Sequence, residues 1–363
     1  MKIFQLILSN SPSADLRYAE ELYNGINMYF KEYEIKQYIL NDNSENLLES
    51  IINIINTYDY LFIHNLGNNK DHYIKISKLI SCKKILFITN QKVKKFISKI
   101  NIEYIKILLS SCDKIVLNKH IKDFTNTIIS LSNSNINDKL VQLNYIYNVD
   151  YSVIDIPKYK EIIQISNKGL ESKYDLFISL FENKQDYFRD FIWKIYGVEK
   201  NIQTLSIDKL YIDKKTNTPS DLTNFDQNKI YKDKINIYQS INNKKIKDII
   251  FNTYFICCFD NYDFINYTIL DIIYSGSIPI MNIKYAKNIK INDKQSIYDI
   301  LNGIYINDKK LINRNTIVDI NKYIQSEKTY KSLVLRNIKM CDQLFNPKKN
   351  INELMNQIYE SNN

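Results

Sequence analysis

The sequence predicts an α/β protein made of two doubly wound domains. Short β-branched runs alternate with longer segments in which apolar residues recur at helical spacing, and both halves of the chain show this alternation. An irregular stretch over residues 144–172 separates the halves. The length of 363 residues also fits two domains, since one domain has about 100–200 residues. Parallel strands joined by helical crossovers are the simplest architecture for such a pattern.

The first half repeats a strand–helix pair about five times. Lys2–Leu8 is a strand-length apolar run, and after a turn the apolar residues of 14–30 recur at helical spacing. Further strands are predicted at Glu34–Ile39, Tyr60–His64, Lys84–Thr89, Lys114–Leu117 and Leu140–Leu143. Helices are predicted between them, over residues 45–55, 72–80, 93–109 and 121–131.

The second half resumes the alternation after the connector. Its predicted strands are Tyr174–Leu180, Gln203–Ile207, Ile235–Tyr238, Tyr254–Phe259 and Ser277–Met281. Its predicted helices are Phe188–Tyr196, Lys245–Asn252 and Tyr267–Tyr274, a polar loop covers 214–229, and residues 317–359 are mostly helical. We therefore expect an N-terminal domain over 1–165, a C-terminal domain over 166–335, and C-terminal helices over 336–363 that pack back on the first domain.

Both domains should bind ligands at the carboxyl ends of their strands, so that two Rossmann-like domains face each other across a cleft. The chain has only 6 glycines, and their spacing excludes a GxGxxG or Walker-type phosphate loop. A phosphate would have to be held by helix N-termini and basic side chains instead.

Charge and composition narrow the class of partner. The formal net charge of +9 fits a solvated Lys-rich surface or a polyanionic partner such as nucleic acid or a phosphorylated substrate. The 5 cysteines contain no CxxC pair and the 3 histidines lie far apart, so neither a disulfide framework nor a metal site is predicted. The N-terminal apolar run is too short for a signal peptide, so none is expected, and the sequence contains no run of 18 uncharged apolar residues. We expect a cytoplasmic protein without a membrane partner.

The most informative segment runs from Asp260 to Met281. A buried strand ends at Phe259 and a polar loop follows it. Asn266 is placed to cap a helix, and Gly276 ends that helix where a positive φ is required. The next strand enters through Ser-Ile-Pro-Ile-Met. The positive N-terminal end of the helix predicts a phosphate site at the cleft, with Asp271 about one turn inside and within reach of a sugar's hydroxyl pair.

This segment resembles the nucleotide-sugar site of retaining glycosyltransferases of the GT-B architecture. Those enzymes carry two acidic residues with seven residues between them, and Asp263 and Asp271 stand at that spacing here. The Tyr267-Thr268 pair before Asp271 and the Gly-Ser-Ile-Pro-Ile strand entry are most similar to the DNA α-glucosyltransferases of T-even bacteriophages. About fifteen residues carry the specific match, and the layout covers most of the chain.

The resemblance implies roles for residues of the C-terminal domain. Asp271 would bind the donor ribose and Asp263 would meet the transferred sugar. Main-chain amides near Asn266, Tyr267 and Thr268 would hold the diphosphate. The family places basic side chains after the first strand of this domain, where Lys184 is the catalytic candidate and Arg189 the reserve donor-binding one.

In the N-terminal domain the family places an acidic residue or a histidine in the loop after the fourth strand. This chain has amides there, so Gln91 is assigned to catalysis and Asn90 to the acceptor. The lysines that follow are predicted to contact DNA phosphates: Lys92, Lys94 and Lys95.

The resemblance implies a retaining glycosyltransferase that moves a sugar, most simply glucose, from a UDP-sugar to a hydroxymethylated pyrimidine in duplex DNA. The base would have to rotate out of the stack to reach the cleft. Two alternatives stay open. The first is a GT-B enzyme acting on a glycan, a lipid carrier or a small molecule. The second is a non-catalytic nucleotide- or DNA-binding α/β protein. A UDP-sugar is the donor substrate for the DNA-modifying enzyme and for the alternative GT-B enzyme. No cofactor is predicted.

Overall fold

The chain forms two compact units, Met1–Asn148 with Asp342–Asn363, and Val149–Cys341. The computed structural model describes residues 1–8, 14–40, 47–64, 70–89, 102–118, 136–149, 151, 155–165, 176–177, 180–181, 188, 190–198, 235–239, 243–259, 267–291, 295–306 and 326–359. Statements below concern these residues.

The first unit contains a six-stranded parallel sheet. Its strands are β1 (Lys2–Leu8), β2 (Glu34–Leu40), β3 (Tyr60–His64), β4 (Lys83–Ile88), β5 (Lys114–Asn118) and β6 (Leu140–Leu143). Its helices are α1 (Ala14–Tyr29), α2 (Leu47–Ile55), α3 (Lys70–Leu79) and α4 (Ile102–Ser111). The strands pair in the order β2-β1-β3-β4-β5-β6. All six predicted strands and the first three helices are confirmed within a few residues. The helix predicted over 93–109 is found as α4, from residue 102 among the described residues, and the one over 121–131 lies outside them.

The central strands of this sheet are buried on both faces because helices cover both. The residues of β3 are all buried, as are all of β1 except Lys2. On one face lies a cluster of aliphatic residues that includes Leu6, Ile63 and Leu86. On the other face the side-chain amide of Gln5 donates a hydrogen bond to the carbonyl of Ala19 in α1, at 2.9 Å. Such two-sided burial is typical of parallel sheets and explains why the strands are continuous apolar runs.

The second unit contains a second six-stranded parallel sheet. Its strands are β7 (Tyr159–Ile165), β8 (Ile192–Val198), β9 (Ile235–Gln239), β10 (Thr253–Cys258), β11 (Ile278–Asn282) and β12 (Ile304–Ile306). Its helices are α5 (Asn243–Asn252), α6 (Tyr267–Tyr274), α7 (Ile283–Asn288) and α8 (Ile297–Ile300). The order β12-β11-β10-β7-β8-β9 is that of the doubly wound dinucleotide-binding sheet.

Three predictions for the start of this unit are wrong. Residues 159–165, assigned to the connector, form β7 and pair with β10 and β8, although they lie before the boundary predicted at 165. The run Tyr174–Leu180, predicted as a strand, is helical at each of its described positions, residues 176, 177 and 180. The helix predicted over Phe188–Tyr196 is replaced by β8. The strand predicted at Gln203–Ile207 and the loop over 214–229 lie outside the described residues.

Contacts between aromatic side chains explain why the predicted strand around Phe177 is helical and the predicted helix around Trp193 is a strand. Trp193 of β8 is buried and makes edge-to-face contacts with Phe177, Phe181 and Phe188, with ring centroids 5.2–5.7 Å apart. The helical residues therefore place two phenylalanines, four apart, on one side of the indole. An apolar run of this length fits a strand or a buried helix equally well by pattern.

Two helices end the described chain, α9 (Glu327–Phe345) and α10 (Pro347–Tyr359). Helix α10 belongs to the first unit and packs against α1 and β6. The side chain of Asn350, fully buried, donates hydrogen bonds to the carbonyls of Tyr145 and Leu344, at 2.9 and 3.0 Å. These bonds attach the last helix to the segment that follows β6.

Candidate functional site

Each sheet has one point at which the strand order reverses direction, and ligands of doubly wound folds bind beside it, beyond the carboxyl ends of the strands. In the first unit this point lies between β1 and β3, where Ile7 pairs with His64. In the second unit it lies between β7 and β10, where Gln164 pairs with Cys257. The topology therefore places one candidate site in each unit.

Helix α6 begins after the carboxyl end of β10 and so starts at the reversal point of the second sheet. Its first residues, Tyr267 and Thr268, carry main-chain amides that have no partner inside the helix, because the first four amides of any helix lack one. Asp271 lies one turn further along and is 8% exposed. Tyr267 and Asp271, four residues apart, share a face of α6.

The carboxyl end of α6 is closed by a Schellman motif. Gly276 has a φ of 82°, and the amides of Gly276 and Ser277 donate to the carbonyls of Ile273 and Ile272, at 3.2 and 3.3 Å. The positive φ predicted for Gly276 is confirmed. Glycine adopts this conformation without the steric cost that a β-carbon brings.

Three side chains fix this end of α6 to the rest of the unit. The Tyr330 hydroxyl of α9 donates to the carbonyl of Gly276 at 2.5 Å. The Ser277 hydroxyl lies 2.7 Å from the carbonyl of Thr253, at the start of β10. The ammonium of Lys158 donates to the carbonyls of Phe251 in α5 and Ser275, and burial lowers its pKa to about 8. The helix that carries Asp271 is therefore held at its far end, which fixes where its N-terminus points.

Of the predicted site residues, the structure describes three: Asp271, Tyr267 and Thr268. It brings them together in the first two turns of one helix, as predicted. The others lie outside the described residues: Asp263, Asn266, Lys184, Arg189, Asn90, Gln91, Lys92, Lys94 and Lys95. The argument that placed Lys184 after the first strand of its domain is wrong, because that strand is β7 and not 175–180.

Two buried polar side chains at the reversal points were not predicted as site residues. Gln164, near the carboxyl end of β7, is fully buried, and neither polar atom of its side chain has a hydrogen-bond partner in the described part of the chain. His64, at the end of β3, is also fully buried and has no partner for either ring nitrogen there. The sequence shows that a polar residue ends an apolar strand. It does not show that this strand lies beside a reversal point, because the strand order is not visible in the sequence.

A cleft of about 230 Å³ lies at the opposite edge of the second sheet. Its lining includes Tyr159 at the start of β7 and Asp248 and Asn252 of α5. Glu161 and Lys194 also line it and form an ion pair, with Nζ of Lys194 2.5 Å from Oε1 of Glu161. Because it lies at the amino ends of the strands, it is separate from the start of α6. Among the described residues no group of histidine, cysteine and acidic side chains could hold a metal ion, and no helix is long and apolar enough to cross a membrane.

Comparison with solved structures places the fold among the GT-B glycosyltransferases, which confirms the predicted fold class. An alpha-glucosyltransferase in complex with UDP-glucose and DNA containing an abasic site matches with a TM-score of 0.72 and 12% identity, over 98% of both chains. An alpha-glucosyltransferase with UDP and a 13-mer DNA containing a HMU base matches with a TM-score of 0.73 and 11% identity, over 99% of both.

A more distant match is S. aureus TarM in complex with Fondaparinux, alpha-GlcNAc-glycerol and UDP, with a TM-score of 0.51 and 9% identity. It covers 86% of this chain and 58% of TarM. No protein-family model and no curated protein sequence matches the chain. The similarity is therefore one of fold, and the function has to be argued from the site.

Proposed function

We propose that the protein is a retaining glycosyltransferase that transfers glucose from UDP-glucose to a hydroxymethylated pyrimidine in duplex DNA. The observation that carries the proposal is the agreement over the whole length of both chains with an alpha-glucosyltransferase bound to UDP-glucose and DNA. The longer TarM agrees over 58% of its own length. The same extent and layout support an acceptor domain of the same kind.

The start of α6 supplies the donor site. The main-chain amides of its first turn and the positive end of the helix dipole attract the diphosphate of a UDP-sugar. Asp271, which shares a face with Tyr267, accepts hydrogen bonds from the two ribose hydroxyls. The buried position of Asp271 strengthens these bonds, because a low local dielectric favours charge-assisted hydrogen bonds. The side chain of Gln164 lies at the same reversal point and offers a further donor and acceptor to the nucleotide.

Transfer with retention builds negative charge on the departing phosphate while the sugar gains positive charge, so stabilisation of the leaving group dominates the barrier. The resemblance calls for basic residues after the first strand of the second unit. Since that strand is β7, the lysines that follow it in the sequence are Lys168 and Lys173. We assign this role to Lys168 and Lys173 ahead of Lys184, and keep Arg189 as the reserve. Asp263 would meet the transferred sugar.

The acceptor would bind at the carboxyl edge of the first sheet. Asn90 and Gln91 follow β4 in the sequence after Thr89, and Lys92, Lys94 and Lys95 would contact DNA phosphates. Deprotonation of the acceptor hydroxyl by the departing phosphate needs no carboxylate at Gln91. The reaction belongs in the cytoplasm, where UDP-sugars and DNA meet.

The donor assignment is tested by Asp271→Asn, which keeps the side-chain volume and removes the charge. We expect UDP binding, measured by titration calorimetry, to weaken by about 1.5–3 kcal/mol, the scale of hydrogen bonds to a charged group. Asp248→Asn is the matched control, since Asp248 lies in the cleft at the opposite edge of the same sheet. Equal UDP affinity in wild type and Asp271→Asn would remove Asp271 from the donor site.

The acceptor assignment is tested by incubating the protein with radiolabelled UDP-glucose and either hydroxymethylated or unmodified duplex DNA. Label in the hydroxymethylated duplex alone is the expected result. The similarity to TarM supports a second candidate, transfer to a glycan-like acceptor. UDP-glucose turnover with a polyol acceptor and none with DNA would favour that candidate. No UDP binding at all would favour a non-catalytic protein.

A further inference from the structure

Three exposed lysines form a basic patch on and beside helix α7. Lys284 lies in the first turn of this helix, Lys287 one turn later and Lys290 just beyond its end. Hydrogen bonds from the amide and hydroxyl of Ser296 lower the pKa of the Asp299 carboxyl. The charges of Lys290 and Lys287 lower it further, so both ammonium groups lie near this carboxylate. We call Lys284, Lys287 and Lys290 the α7 patch.

The α7 patch lies at the edge of the second sheet where ligands are expected. Helix α7 starts directly after β11, and α6, with the proposed donor site, starts after β10. These two strands are parallel neighbours, with Cys258 paired to Met281, so both helices begin at the carboxyl edge. Neighbouring strands are about 5 Å apart. The patch is therefore one strand away from the strand that leads to α6, at the ligand-binding edge of a doubly wound sheet.

Two contacts hold the α7 patch in place. The side chain of Asn282, which is fully buried, accepts a hydrogen bond from the amide of Lys284 at 2.8 Å. The ammonium of Lys287 lies 4.9 Å from the centre of the Tyr298 ring, whose face attracts a cation. That ring packs edge-on against Tyr305, with centroids 4.7 Å apart. Because the ring orders the cation, less conformational entropy is lost when an anion binds Lys287.

The charge and length of the α7 patch indicate the kind of anion. Within the described part of the chain none of its ammonium groups forms an ion pair, and Asp299 offsets only part of their charge. The patch spans six residues, or roughly 9 Å at the rise of a helix. One DNA strand carries a phosphate about every 3.4 Å and so presents two or three phosphates over this length. The two adjacent phosphates of a nucleoside diphosphate would reach only one end of the patch.

We propose that the α7 patch binds the phosphate backbone of the acceptor DNA, so that the unit with the donor site also holds the duplex. This inference rests on the proposed function and adds a second DNA-binding surface to the lysines proposed after β4. Lysine binds phosphate as a point charge and reads no base, so the patch positions the duplex whatever its sequence.

The test replaces Lys284, Lys287 and Lys290 together with Gln in the full chain. The three side chains are exposed, so the thermal midpoint should stay at the wild-type value. Affinity for a hydroxymethylated duplex is measured by fluorescence anisotropy at about 50 and 200 mM salt. If all three lysines contact phosphate, wild type should lose about 40-fold more affinity between these concentrations than the variant, from a slope of about −0.9 per contact. UDP affinity, measured by calorimetry, should be unchanged.

Helix α9 offers a matched control in the same unit. Its Lys328, Arg336 and Lys339 are exposed and form no ion pair with other residues that the structure describes. The buried face of α9 is bonded to Gly276 and Asn302, which lie just before β11 and β12 begin. Replacing the three cations with Gln therefore removes the same charge from the opposite edge of the sheet. The salt dependence should stay that of wild type.

Wild-type salt dependence in the α7 variant overturns the inference. An equal change in both variants overturns it as well, because net charge and not local contact would then be responsible. Weaker UDP binding with unchanged duplex affinity would assign the lysines to the phosphates of the donor instead. In each of these cases wild type still glucosylates the hydroxymethylated duplex, and the proposed function stands. A wild-type protein that transfers glucose to a polyol acceptor but to no modified duplex overturns both.

Discussion

Lys158 shows how a single residue can link the stability of the candidate site to pH. Its ammonium lies between the carboxyl ends of α5 and α6 and donates to a carbonyl at each. Cations are favourable at helix carboxyl ends, but burial opposes the charge more strongly, so that the pKa is lowered from 10.5 to about 8. The contact that holds the carboxyl end of α6 therefore includes a partly desolvated charge.

The expected consequence is a stability that depends on pH between about 8 and 10.5. In this window the unfolded chain binds a proton at Lys158 that the folded chain has lost, so the free energy of unfolding rises with pH. The contribution is complete above pH 10.5 and is lost as the pH falls through 8. Denaturant unfolding of wild type and Lys158→Met at several pH values measures the difference. A difference between wild type and Lys158→Met that stays constant over these pH values would contradict the assignment.

At the scale of elements, α10 is the part of the first unit that comes last in the chain. It packs on α1 and β6 through a buried face that includes Ile351, Leu354 and Met355. Asn350 adds a polar attachment within this face, donating to two carbonyls. The helix has an apolar stripe of the kind that a surface helix uses to cover a core.

Asn350→Ala should lower the free energy of unfolding of the first unit by about 1–3 kcal/mol, because the carbonyl of Tyr145 would stay buried without this donor. The carbonyl of Leu344 would keep the hydrogen bond from the side-chain amide of Asn144. Denaturant titration with a probe in the first unit measures this loss. Asn352→Ala, on the exposed face of the same helix, should change the stability by less than about 0.5 kcal/mol. Equal effects of the two substitutions would show that the buried bonds contribute nothing.

The elements also show where sequence-based inference succeeds. Every strand of the first sheet is predictable, since each is a short run that contains several apolar residues and alternates with segments of helical spacing. The helix α6 and its end at Gly276 are predictable as well, because caps and a positive φ depend on residues close together in the chain. The start of the second unit is not predictable in this way. Whether the run around Phe177 becomes helix or strand is decided by Trp193, a tertiary contact that the pattern does not contain.

The contact between Tyr18 and His64 is likewise one that the sequence alone does not predict. These residues are 46 positions apart, and only the strand order β2-β1-β3 brings them together beside the reversal point. Asp271, by contrast, follows from its place in a single helix. Local site geometry is therefore accessible from the sequence, and geometry that depends on topology is not.

At the scale of the whole molecule, the net charge of +9 predicts how binding to DNA depends on salt. Each phosphate contact releases counterions and contributes about −0.9 to the slope of log affinity against log salt. Lys92, Lys94 and Lys95 follow β4 in the sequence and are proposed to contact DNA phosphates. Replacing all three with Ala should flatten the slope by up to about three units. Fluorescence anisotropy with a hydroxymethylated duplex at several salt concentrations measures the slope.

The proposed donor site lies in the other unit, so UDP affinity should be unchanged in the triple variant and serves as its control. A slope equal to that of wild type would remove these lysines from the DNA-binding surface. Negligible affinity of wild type for the duplex at low salt would instead argue against a DNA acceptor.

The division of the first unit between two parts of the chain has a consequence for biosynthesis. Residues 149–341 leave the ribosome before 342–363, so the second unit is complete while the first still lacks α10. During that interval the faces of α1 and β6 that α10 covers are open to solvent or to a chaperone. Domains generally fold in the order of their synthesis. In this protein the unit whose synthesis begins first is completed last, and its maturation depends on the translation of a helix that begins more than two hundred residues after the last strand of its sheet.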